Sequence, residues 1–158
     1  MTLNVGDPAP DFSLSDATGQ TYTLQALRGK YVVLYFYPRD NTPGCTKEAC
    51  GFRDRQAQFD TLGAIVLGVS TDNAKSHTKF ITKHNLTFPL LCDLDGKVAS
   101  LYESYGLKKF MGREFVGVFR RTVIIDPEGN LAKIYPKVKP EPHPEEVLQD
   151  LKAFGHLD

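Results

Sequence analysis

Three residues of this chain are able to do covalent chemistry at neutral pH, Cys45, Cys50 and Cys92, and the first two share one block. That block reads Tyr37-Pro-Arg-Asp-Asn-Thr-Pro-Gly-Cys45-Thr-Lys-Glu-Ala-Cys50. A thiolate is a nucleophile, a metal ligand and half of a two-electron redox pair. Three cysteines are an odd number and too few for a secreted disulfide scaffold, which points to a reducing compartment. Zinc is not expected, because Cys45 and Cys50 lack the usual short pair spacing and no Cys/His pair lies nearby.

Thr42 is a good helix N-cap and Pro43 suits the first helical position. Cys45 then becomes the third helical residue, among unpaired backbone N–H groups and at the positive end of the helix dipole. Both favour thiolate over thiol. A Pro-Gly-Cys turn at a helix start is normally near the surface, which disfavours the alternative of Cys45 as a small core residue. Cys50 lies five residues on. In an ideal helix that spacing separates Cα atoms by about 8.6 Å and about 140° of rotation, whereas a disulfide needs them within about 7 Å. Either the two never pair, with Cys50 merely packed beside Ala49, or pairing unwinds the first turns of the helix. We predict unwinding, with the reduced state helical and the oxidised state locally unfolded.

The elements that must position this block follow from the pattern. Phe12 and Leu14, then Tyr22 and Leu24, flank a turn at Asp16-Ala17-Thr18-Gly19 and predict an N-terminal hairpin. Tyr31 to Tyr37, seven apolar residues, reads as a central strand covered on both faces and ended by Pro38. A helix is expected from near Pro43 to about Leu62, stopped by Gly63. Further expectations are a strand over 64–70, a polar helix over 74–84 and a short strand near Leu90-Leu91. A helix over roughly 97–105, strands over 118–126 and 131–135, and a last helix over about 144–154 complete the chain. This order predicts an α/β protein with a thioredoxin-like fold, a mixed central β-sheet flanked by helices and an N-terminal β-hairpin, in one domain spanning 1–158.

Composition excludes several classes. Hydrophobic residues at 41% and charged residues at 24% are ordinary for a globular chain, so disorder is not expected. Acidic and basic residues balance at 19 each, leaving no global field for nucleic acid or an anionic membrane. The N-terminus lacks the basic start and apolar stretch of a signal peptide, and seven apolar residues fall far short of a membrane span; the expectation is a cytoplasmic protein. Asp93-Leu-Asp-Gly96 suggests a calcium loop, but with Gly96 at the sixth position Leu91 and Tyr102 fall where ligands belong, so it is a turn before a helix. Cys92 is expected to be a buried, inert thiol. His77, His84, His143 and His156 lie on polar segments and are expected to be exposed. The four prolines between Pro136 and Pro144 predict a rigid surface connection.

Pro38, Thr42 and Cys45 match the Pro-x-x-x-Thr-x-x-Cys signature of the peroxiredoxins, which the chain resembles over nearly its whole length. Cys45-Thr-x-Glu48-Ala-Cys50 is similar to the bacterioferritin comigratory protein, or Q, branch. Gly6-Asp7-x-Ala9-Pro10-x-Phe12, Gly68-Val-Ser70-x-Asp72 and Phe110-Met-Gly112 extend the likeness. The resemblance implies a peroxidatic thiolate at Cys45 that reduces hydrogen peroxide and organic hydroperoxides. It also implies a resolving thiol at Cys50 and a thioredoxin or similar dithiol as reductant, steps that agree with ordinary thiol oxidation chemistry. The matching threonine, Thr42, would orient the peroxide, and the matching proline, Pro38, would shield the thiolate.

The family also carries a distant arginine on a strand ending in Ile-Asp. Counting back from Asp126 selects Arg120 over Arg121, and strand alternation lets only one of the two reach Cys45; Arg121 is then a solvated or edge charge. The leaving oxygen must receive hydrogen bonds as its charge develops, which an arginine supplies. Alternative readings are a protein dithiol–disulfide oxidoreductase, disfavoured by four residues between the cysteines, or a redox sensor. No cofactor is implied, and a monomer is expected.

Overall fold

The computed structural model describes residues 2–155. A hairpin of β1 (Ser13–Asp16) and β2 (Thr21–Thr23) precedes β3 (Tyr31–Phe36), α1 (Pro43–Asp54), α2 (Gln56–Thr61) and β4 (Ala64–Ser70). Then come α3 (Ala74–His84), β5 (Leu90–Cys92) and α4 (Lys97–Leu101). The chain continues through β6 (Tyr105–Phe110), β7 (Arg113–Val118), β8 (Arg121–Ile125), β9 (Leu131–Tyr135) and α5 (His143–Gly155). Seven strands form one sheet in the order β2-β1-β5-β4-β3-β8-β9, while β6 and β7 pair only with each other. The β3–β4 and β4–β5 pairs are parallel and the rest antiparallel, a mixed sheet as the alternation of strand and helix predicts.

Two cores follow from the period of the central strand. Val33, Tyr35 and Tyr37 point to one face and pack with Ala49 and Phe52 of α1, Phe59 of α2, Phe80 of α3 and Val147, Leu148 and Leu151 of α5. Val32, Leu34 and Phe36 point to the other face, against Val98, Ala99 and Tyr102. A strand apolar on both sides is therefore a strand covered on both sides.

Three expectations about elements need correction. The helix expected over 43–62 breaks at Arg55, whose backbone leaves helical geometry (φ −110°, ψ 12°) and whose guanidinium donates to the Gly51 carbonyl at 2.8 Å and to Glu145 at 3.1 Å. The helix expected over 97–105 ends at Leu101, and the strand expected over 118–126 is divided. Residues 105–118 instead form a separate hairpin, turned at Met111 and Gly112 with φ of 51° and 78°. Met-Gly occupies a turn normally signalled by Asn-Gly or Asp-Gly, so the usual composition cue is missing. Two histidines expected to be exposed are also buried, His77 at 0% and His143 at 1% exposure; His84 is half-buried, and His156 lies outside the described residues.

Candidate active site

The site is built on the loop that carries the chain from β3 into α1. Pro38 lies two residues beyond the end of β3, after Tyr37, and is half-buried. Asp40 anchors the loop from below: its carboxylate accepts from the Tyr37 hydroxyl (2.6 Å) and the Ser76 hydroxyl (2.8 Å), and lies 2.7 Å from His77 Nδ1. His77 Nε2 meets the Leu91 carbonyl at 3.0 Å, and the Asp40 backbone N–H donates to Asp72 at 2.8 Å. Ser70 donates to the same Asp72 oxygen at 2.7 Å. The Gly68-Val-Ser70-x-Asp72 block thus has a physical task. A Cβ at Gly68 would stand 2.7 Å from Leu90 and 3.0 Å from the Tyr35 hydroxyl, while Ser70 and Asp72 fix the loop backbone. Asp40, Asp72 and His77 are also the grouping whose geometry suits a metal ion. The polar atoms they would offer are already hydrogen-bonded inside the cluster, which makes it a structural anchor.

Thr42 stands at the N-cap with an extended backbone, and Thr46 N–H donates to its carbonyl at 2.9 Å. Its hydroxyl does not cap the helix; it donates to the Arg39 carbonyl at 2.9 Å. The hydroxyl oxygen therefore keeps its lone pairs to accept a further hydrogen bond. Cys45 is the third residue of α1, as the capping pattern predicts. It is only 1% exposed, however, packed in the core cluster with Tyr35 rather than lying near the surface.

Arg120 comes to Cys45 from 75 residues away in sequence and donates from Nη2 to Sγ at 3.3 Å. Its Nη1 donates to Glu48 Oε1 at 2.8 Å. Burial works against the guanidinium charge, but Cys45 and Glu48 outweigh it and raise the Arg120 pKa above the ordinary value. Arg120 sits just before β8 rather than within it, so strand alternation is not what separates it from its neighbour. Arg121 is in β8 opposite Phe36; it is half-buried, with a buried Nε that has no partner, not a freely solvated charge. A Cβ at Gly44 would lie 3.2 Å from Arg120 Nη2 and 3.3 Å from Pro140, so a glycine lets both close over the helix start.

Glu48 is the residue of this site that its sequence position alone does not reveal. Its side chain is fully buried one helical turn after Cys45, and Oε2 has no partner. Burial pushes its pKa up to about 7, against the pull of Arg120. The sequence signal was its place in Cys45-Thr-x-Glu48, at the i+3 spacing that puts both side chains on one helix face. Cys50 is half-buried farther along α1, and all three cysteines are free thiols. Cys92 is half-buried at the end of β5, and burial, with Asp40, Asp16 and Asp72, raises its thiol pKa.

A buried thiol in the first turn of α1, a hydroxyl acceptor on the loop before it and an arginine brought in from just before β8 form an arrangement suited to thiol-based redox chemistry. Residues 5–134 match the AhpC/TSA family. Peroxiredoxin Bcp of Bacillus subtilis is 49% identical over 155 residues, covering 98% of this chain and 99% of that protein. Peroxiredoxin Bcp of Escherichia coli is 39% identical, covering 97% and 98%. The chain belongs to the AhpC/TSA family and, within it, to the Bcp or Q type of peroxiredoxin. Among solved structures, a cysteine-to-serine variant of Xylella fastidiosa PrxQ superposes with a TM-score of 0.92 at 34% identity, covering 100% of this chain and 99% of that one. Xanthomonas campestris bacterioferritin comigratory protein, described for its alkyl peroxide reduction, gives 0.88 at 37% identity, covering 97% and 98%. The fold is the thioredoxin-like one expected, and the protein is a thiol-dependent peroxidase.

Proposed function

We propose that Cys45 is the peroxidatic nucleophile and Cys50 the resolving thiol. The observation that carries this is the Arg120 Nη2 to Cys45 Sγ hydrogen bond, made by a residue far away in sequence. The Cys45 thiolate attacks the terminal peroxide oxygen, the O–O bond breaks, and the departing hydroxide or alkoxide takes a proton to leave as water or alcohol. Thr42 accepts a hydrogen bond from the peroxide through its free lone pairs. Remaining N–H groups of Arg120 donate to the oxygens as charge develops on them. Pro38 shields the sulfur from water.

The Cys45 sulfenic acid then condenses with the Cys50 thiol, forming a disulfide and releasing water. Because α1 is helical across both cysteines, this step requires its first turns to unwind. A thioredoxin-type dithiol reduces the disulfide. The enzyme acts on hydrogen peroxide and organic hydroperoxides as a cytoplasmic monomer of one domain, without nucleic acid or membrane partners. The formal net charge of +0 supports only the last point, since it offers no field to gather either polyanion. No described helix is long and apolar enough to cross a membrane.

Hydrogen peroxide consumption with a thioredoxin system tests the assignment. Cys45→Ser is expected to abolish turnover, and Cys50→Ser to stop at a sulfenic acid trapped by dimedone and seen by mass. Wild-type turnover in Cys45→Ser would overturn it.

A further inference from the structure

Of the eight large apolar side chains that are exposed among the described residues, five lie on the β6–β7 hairpin: Leu107 at 56%, Phe110 at 67%, Met111 at 86%, Phe115 at 46% and Val116 at 59%. Scattered exposed apolar residues are normal, but a cluster marks a contact surface. The strand register puts Phe110 and Phe115 on one face of the hairpin with Lys108 and Arg113, Met111 at its tip, and Leu107 with its partner Val116 on the opposite face. The turn adds an independent sign. Met111 holds φ at 51°, a region that side chains with a Cβ avoid and Asn or Gly fill readily. Its 86% exposed side chain contributes no burial in return.

The hairpin is rooted at the active site. Phe119 N–H donates to the Ser104 carbonyl at 2.7 Å and the Ser104 hydroxyl donates to the Phe119 carbonyl at 2.6 Å, which fixes the stem one residue before Arg120. Lys108 donates to the Val118 carbonyl at 2.9 Å and stands 5.9 Å from the Phe115 ring centre. Burial and the nearby Arg120 lower its pKa while Cys45 pulls it up, so it lies within the field of both. Lys108, Lys109 and Arg113 against Glu114 leave the hairpin positive. Beside its root, a cavity of about 580 Å³ is lined by Arg120, Arg121, Lys137 and Lys139 against one acid, Glu103, together with Phe119 and Val138. A chain of zero net charge thus gathers a basic, apolar quadrant next to Cys45.

We propose that the β6–β7 hairpin docks the dithiol protein that returns Cys45 and Cys50 to thiols, recognising an apolar surface around the partner's reactive cysteine with acidic groups at its rim. This rests on the resolving role given to Cys50 above. Phe110, Met111 and Phe115 expose on the order of 350 Å², taking roughly 150–200 Å² for each when bare. A stable dimer needs about 800 Å² per partner, whereas redox encounters are smaller. A second copy of the hairpin would also set like charges against each other. The partner's thiolate attacks one sulfur of the Cys45–Cys50 disulfide, forming a mixed disulfide and releasing the other sulfur as thiolate. The partner's second thiolate then breaks the mixed disulfide. Two electrons and two protons pass to Cys45 and Cys50, and the partner leaves with the disulfide.

The test compares wild type with Phe110→Ser/Phe115→Ser and with Met111→Asn, which relieves the strained turn and preserves folding. Each is oxidised with one equivalent of hydrogen peroxide, checked for the disulfide by non-reducing mass, then reduced by thioredoxin or by dithiothreitol. The expected result is about a tenfold loss in the rate constant with thioredoxin, with peroxide oxidation and dithiothreitol reduction unchanged. Equal loss with both reductants, or no loss with thioredoxin, overturns the proposal. Unchanged thioredoxin kinetics with altered binding to phosphatidylglycerol vesicles, or altered sedimentation mass, overturns it and assigns the patch to a membrane or a second copy. A wild-type chain that forms no Cys45–Cys50 disulfide overturns the resolving role, and the proposal with it.

Discussion

Two side-chain pairs, each built on a buried carboxyl, flank the same strand-to-helix loop, and they are finished to different degrees. In the Asp40–His77 pair both carboxylate oxygens and both ring nitrogens have partners. In the Arg120–Glu48 pair one Glu48 oxygen is left without one, and the guanidinium divides its donors between Glu48 and Cys45. A fully satisfied network fixes geometry, while one with spare capacity leaves charge and hydrogen bonds available to a reacting molecule. The first pair is scaffold for the loop; on the role proposed for Cys45 the second is machinery, and its Arg120 keeps 18% of its side chain open to water while Asp40 and His77 keep at most 1%.

Removing one partner of the satisfied pair should have the largest effect. Asp40→Ala leaves His77 and the Tyr37 and Ser76 hydroxyls without their common anchor, and should cost about 3–5 kcal/mol of stability. Urea denaturation measures it; a loss below about 1 kcal/mol would put Asp40 outside the scaffold. Arg120→Met should invert the pattern, lowering kcat/KM for peroxide by about 10²–10³ as expected for a lost donor to a developing charge. Stability should change less than in Asp40→Ala, because Glu48 escapes its unpaired charge by taking up a proton. Comparable losses of stability in the two variants would erase the distinction.

Glu48→Gln should give a smaller effect, visible in pH dependence. The fold raises the Glu48 pKa from 4.5 to about 7, so it favours the protonated form. Its contribution to stability is complete below the unfolded value and is lost as pH rises through about 7. Glu48→Gln should flatten Tm against pH across that interval and remove any inflection near pH 7 from the peroxide kcat/KM profile; an unaltered profile would count against the second pair as machinery. Smallest of all, Cys92→Ser should change stability by no more than about 0.5 kcal/mol and leave turnover at the wild-type rate, since the thiol belongs to neither pair.

What was readable in the sequence was what depends on neighbours along the chain. The run Tyr31 to Tyr37 announced a strand covered on both faces, Thr42 and Pro43 announced a helix start, and the count back from Asp126 chose the arginine that meets Cys45. What depends on partners across the fold was hidden. His77 looked like an ordinary residue of a polar helix because Asp40, 37 residues earlier, is what makes its burial tolerable. Glu48 was visible as a motif letter and not as a buried carboxyl. The Thr42 hydroxyl turned to a carbonyl instead of the helix because the loop brings Arg39 within reach. The hairpin at 105–118 escaped because its turn is Met-Gly and its apolar residues face water, against the rule that alternation marks a core-facing strand.

The interruption at Arg55 has a mechanical meaning. A helix that ran unbroken from Pro43 to Leu62 would transmit any loosening near Cys45 along one continuous ladder, down to Phe59 and the start of β4. Instead the ladder is cut between α1 and α2, and the Arg55 side chain fastens the end of α1 to the Gly51 carbonyl and to Glu145 of α5. The cut is placed as a firebreak: the unwinding proposed between Cys45 and Cys50 would burn out there, and the fabric beyond it would stay cold.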